Sequence, residues 1–186
     1  MQTSLDKWFT GSKNKIAHIF YLDWDSNLPY PPRNAVWLDE LSDIGRDCFT
    51  KNIMWRNFKM LVTICGKSVD AVDATDTNNK KKHPAIPILK SNLQKCIRRK
   101  LTTNAIKTAI AMINIDFMEF IRRLTIIMVE DCVVHESIST LVWMTAAYPE
   151  WKPNKNHINW LLGIVEYLSN LGEHDLVKRM DFDFKK

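Results

Sequence analysis

Four arginines and one aspartate carry most of the chemistry this sequence offers. Arg98 and Arg99 lie in SNLQKCIRRK, Arg122 and Arg123 in FIRRLTIIMVEDC, and Lys95 adds a further cation. A guanidinium makes paired hydrogen bonds to phosphate or carboxylate, so a helix front of Lys95, Arg98 and Arg99 suits an anionic partner. The same residues also suit a solvated face with one arginine paired to a buried acid. Asp131 is the acid in question. At about 100° per residue it falls within the apolar stripe Phe117, Phe120, Ile121, Leu124, Ile127, Met128 and Cys132, where an unpaired carboxylate is costly. A partner for Asp131 is therefore expected among Arg98, Arg99, Arg122 and Arg123, making a structural buried pair.

Other chemistries find less in the chain. Asp23 and Asp25 form a D-x-D pair, but a two-metal nuclease needs further carboxylates at defined positions. Gly66-Lys67-Ser68 has the form of the end of a phosphate-binding loop, yet that loop needs a glycine five residues earlier, where Leu61 stands. ATP hydrolysis is not expected there. Cys48, Cys65, Cys96 and Cys132 contain no C-x-x-C pair, and none of the five histidines falls in a metal-binding pattern. No catalytic set, metal or cofactor is expected.

These groups must be positioned by helices. Asp116 followed by Glu119 forms a capping box, which places a helix start at Phe117. Ile126 and Val129 make the opposite side of that helix apolar too, so it is expected to be buried on most sides. Pro87 suits a first helical turn, with Leu89, Leu93, Cys96 and Ile97 on one face behind the basic front. A short helix around Ala105, Ala109 and Ala111 follows. Helices are also expected over 36–53, 54–65, 135–147, with Ile138, Leu141, Val142 and Met144 or Ala146 inward, and 155–171. The stretch 10–34, rich in proline and aromatics, reads as an extended segment over the core. The polar run 67–84 reads as a loop whose Lys80, Lys81 and Lys82 either track phosphates or stay solvated.

At 186 residues and 46% apolar the chain can bury a sizeable core, and only five glycines weigh against a turn-rich β protein. The fold class expected is all-α, a single domain of about seven or eight helices behind a mobile N-terminal peptide. The net charge of +5 permits an anionic partner without requiring one. No stretch reaches the roughly 20 apolar residues that cross a bilayer, so a soluble, non-exported chain and no membrane partner are expected.

The N-terminal QTSLDKWF places Gln2, Leu5, Trp8 and Phe9 in the spacing Q-x-x-hydrophobic-x-x-aromatic-aromatic. One helical turn brings positions 5, 8 and 9 to one side as an apolar plug. This resembles a PIP box, the peptide by which replication and repair proteins dock on PCNA-type sliding clamps. Lys13 and Lys15 could then meet an acidic clamp surface; equally, the aromatic pair could fold onto this domain.

A second resemblance covers roughly 45 residues. Ser91, Leu93, Gln94, Lys95, Ile97 and Arg98, then Phe120, Arg122, Arg123, Leu124, Glu130 and Asp131, form a pattern similar to the helical region behind the ATPase core of RarA-type AAA+ fork-maintenance proteins. Cys132 and Val133 stand where that family usually continues with glycine. The region serves as collar and oligomerisation part in the family, which implies a collar-like domain over 36–186, after a clamp-binding peptide at 1–12 and an extended segment at 13–35.

Together the resemblances imply a DNA replication or repair accessory protein, nuclear or at a viral replication site. It would dock on a clamp through its N-terminal peptide and contact DNA or another replication protein through Lys95, Arg98, Arg99, Arg122 and Arg123. Two alternatives remain: a clamp-recruited, metal-dependent DNA-processing enzyme using Asp23, Asp25, Glu130 or Asp131, and a structural homo-oligomer.

Overall fold

The computed structural model describes residues 18–22, 24, 35–38, 48–55, 60–67, 83–132 and 134–171. They form a four-stranded mixed sheet and five helices, which corrects the all-α expectation. The strands are β1 (His18–Leu22), β2 (Val36–Leu38), β3 (Cys48–Trp55) and β4 (Met60–Lys67). The helices are α1 (Ile86–Arg98), α2 (Thr102–Ile115), α3 (Phe117–Asp131), α4 (Ile138–Ala147) and α5 (Lys155–Asn170). The helices expected over 36–53 and 54–65 are thus absent from the described parts of those stretches, which run as strands.

The sheet order is β2-β1-β4-β3, with β1 and β4 parallel and both edge strands antiparallel to their neighbours. β1, expected only as part of an extended covering segment, is one of the two central strands. Its Phe20 and Leu22, with Val62 and Ile64 of β4, face the helices, and Phe49 and Ile53 of β3 pack against the same core. Ile19 and Cys65 on the opposite face are buried as well. A strand buried on both faces shows no polar alternation, so its apolar residues also satisfy a helical spacing. The deciding preference lies in Val62, Thr63 and Ile64, whose branching at Cβ favours the pleated conformation.

α4 is the helix that lies on the sheet, against β1 and β4, and it also packs on α3. Trp143 is its anchor. The indole is buried, and its single Nε1–H is shared by the carbonyls of Phe20 and Cys65, each at 3.0 Å. Gly66 makes room for it: a Cβ at that position would lie 2.9 Å from the Trp143 ring and 2.7 Å from the Leu22 carbonyl oxygen. The glycine that resembles part of a phosphate loop is therefore a packing residue in an extended strand.

α1, α2 and α3 follow with short connections. Lys90 of α1 lies beside Glu119 near the start of α3, and Arg98 beside Asp131 near its end, so α1 and α3 run in the same direction with α2 returning between. α5 packs on α2 and α1. α3 starts where expected, with the Asp116 carboxylate accepting from the Glu119 N–H at 3.0 Å, but the reciprocal half of the expected capping box is replaced: the Asp116 N–H donates to the Met112 carbonyl and Glu119 pairs with Lys90.

Candidate functional site

The basic residues singled out from the chain divide into two groups. Arg98 and Arg123 are tied internally. Asp131, its side chain 6% exposed, accepts from Arg98 Nε at 2.8 Å and Nη2 at 2.5 Å, and from the Gln94 amide at 2.5 Å. The Gln94 carbonyl oxygen in turn accepts from Arg123. Gln94 thus satisfies its two ends with an arginine and an aspartate, bridging α1 to α3. The hydrogen bonds that Arg98 donates to Asp131 hold its guanidinium pKa above its already high value.

Replacing Asp131 by Ala removes the acceptor for both Gln94 and Arg98. Because the Arg98 head is 55% exposed and can return to water, the cost is that of the orphaned amide, about 2 kcal/mol, and not that of a stranded buried charge. Urea unfolding should show this loss, with Asp131→Asn losing less.

Lys95, Arg99 and Arg122 are exposed and outward. The structure does not gather them on one face. Lys95 borders a shallow depression on the outer side of α1 with Pro87, Ile88, Ser91 and Asn92. Arg122 and Arg123 line a different feature, a groove of about 620 Å³ between α3 and α4. Its floor is Thr125 and Ile126 of α3 with Val142, Thr145 and Ala146 of α4, and Lys90 and Glu119 close one end as an ion pair.

Two sequence expectations are corrected here. α3 is not buried on most sides, since Ile126 and Val129 are 40% and 53% exposed; nor does Val142 point inward, being 46% exposed. Periodicity identifies which residues are apolar on a face, whereas only the neighbours decide whether that face is covered. No helix packs over the outer α3 and α4 seam among the described residues, so Ile126 and Val142 stand in a groove. The signal for it was present in the apolar positions lying off the main stripes.

The remaining candidates are quickly placed. Gln2, Leu5, Trp8 and Phe9, the D-x-D pair at 23 and 25, and most of the 67–84 loop lie outside the described residues. Glu130 is exposed at the end of α3. Burial, together with the neighbouring Asp131 carboxylate, pushes the Cys132 thiol up to about 11, which leaves it protonated and unreactive at neutral pH. Among the described residues no three His, Cys, Asp or Glu side chains converge, and no helix is long and apolar enough to cross a membrane.

No protein-family model, curated protein or solved structure matches the chain. Any functional reading therefore rests on the residues themselves.

Proposed function

We propose that the chain is an accessory protein of DNA replication or repair, tethered to a PCNA-type sliding clamp by Gln2, Leu5, Trp8 and Phe9. Its helical layer holds a second macromolecule. The observation that carries the reading is the spacing of those four residues in the sequence, which a single helical turn would turn into a three-pronged apolar plug with a separate amide. Tethering raises the local concentration of the helical layer at the clamp, so a weak second contact suffices.

An adaptor also suits the disposition of the charged groups. Arg98 and Arg123 serve the fold, while Lys95, Arg99 and Arg122 remain exposed for a partner. The carboxylate a nuclease would most readily draw from α3, Asp131, is engaged by Arg98 and Gln94. This favours the adaptor over the enzyme.

Calorimetric titration into a PCNA-type clamp tests the tether. The wild type should bind, and the Trp8→Ala, Phe9→Ala double variant should bind more than about 100-fold more weakly, as expected when two aromatic anchors are removed. Absent binding by the wild type, or binding unchanged in the variant, would overturn the reading.

A further inference from the structure

We infer that the groove between α3 and α4 receives an amphipathic helix of a partner protein, seated by apolar side chains and oriented by a carboxylate at the Arg122 and Arg123 end. The inference deepens the adaptor reading by naming the partner chemistry of the helical layer, and it needs no clamp for its test.

The floor is apolar in effect as well as in composition. Ile126 and Val142 stand 40% and 46% exposed on either side of the seam, beside Ala146. The two threonines add no free donor, because Thr125 donates to the Ile121 carbonyl at 2.9 Å and Thr145 to the Leu141 carbonyl at 2.8 Å, each within its own helix. A surface of this kind is better served by apolar side chains than by phosphates or base edges. Val129 extends the exposed apolar line one turn beyond Ile126. From Arg122 to Val129 the seam runs about 10 Å along α3, the length of roughly two helical turns. A helix presenting apolar residues at i, i+3 or i+4 and i+7 matches it.

Charge sets the direction. Lys90, Arg122 and Arg123 line the groove against a single acid, Glu119, which is paired with Lys90. Arg122 is exposed and makes no ion pair among the described residues, while Arg123, held by the Gln94 carbonyl, adds its positive charge beside it. The cationic end therefore selects a carboxylate, while the apolar floor disfavours a nucleic-acid backbone, which would demand several phosphate contacts.

The test is selection from a displayed library of random helical peptides on the full chain, counter-selected on Ile126→Glu. Both Ile126 and Val142 are surface residues, so Val142→Glu provides a second groove variant, and circular dichroism verifies that each keeps its helices. Selected peptides should combine helically spaced apolar residues with a carboxylate and lose at least about 20-fold in affinity on either groove variant. Arg122→Glu should weaken them about 5-fold, and a peptide whose carboxylate is changed to lysine should regain binding to that variant. Absence of groove-dependent binders, or binders indifferent to Arg122, would overturn the inference. So would a dimer of the chain that Ile126→Glu dissolves, or a DNA duplex that competes for the groove. Because clamp binding is read through Trp8 and Phe9, failure there is separable from failure here.

Discussion

Trp143→Ala is expected to lower the unfolding free energy by about 4 kcal/mol, as for other buried tryptophans truncated to alanine. Three contributions act together. The indole is 1% exposed and fills the space between sheet and helices, with Phe49 at 6.1 Å and Trp151 at 5.3 Å in edge contacts. Its N–H serves carbonyls on two different strands, so removal withdraws a donor from both Phe20 and Cys65. Gly66, kept small for the ring, would then border a cavity that backbone alone cannot close. Trp143→Phe separates these contributions: it keeps much of the volume and loses the donor, and should cost about 2 kcal/mol. Urea unfolding followed by circular dichroism measures both. An alanine variant within about 1 kcal/mol of wild type would mean that α4 does not anchor the sheet in the way described.

Acid is expected to destabilise the fold through His157, by about 3 kcal/mol between pH 6.5 and pH 4. The ring is fully buried, packed against Trp24 with centroids 4.1 Å apart and against Trp151 at 4.9 Å. Its Nδ1 accepts from the Asn154 N–H at 3.0 Å, while Asn154 Oδ1 accepts from the His157 N–H at 3.0 Å, closing the capping box of α5. A proton on Nδ1 would set two donors against each other and place a cation at the positive end of a helix. Burial lowers its pKa from 6.5 to about 4. Within that window the unfolded chain binds a proton that the folded chain refuses. Stability is therefore full above pH 6.5, falls as pH drops, and levels off below pH 4 as far as this group is concerned. Unfolding measured across the range in wild type and His157→Gln isolates the contribution, since the carboxylates titrate in both. Equal pH slopes in the two proteins would refute it.

The helices were legible because their signals are local. Asp116 and Glu119 mark the start of α3 within one turn, and Pro87 the first turn of α1. The need of Asp131 for a cation could likewise be argued from its place in an apolar stripe, and Arg98 supplies it. The intermediate role of Gln94 could not, because an amide facing two charged neighbours looks the same in a sequence as one facing water. The strands escaped for a different reason. β1 and β4 pair in parallel across about forty residues of chain, and with apolar residues on both faces neither shows the alternation that distinguishes a strand from a helix.

What the chain decides alone is which residues are apolar, where helices can start, and which charges need partners, since each depends on neighbours within a turn or two. What packing decides is whether an apolar residue is covered. Ile126 and Val142 have the same chemistry as the buried Ile127 and Leu141 beside them, and differ only in that no described element crosses the seam where they stand. The groove, like the engagement of Arg98 by Asp131 and of Arg123 by Gln94, arises from the relative placement of whole helices, a property set by long-range contacts and carried by no single stretch of sequence.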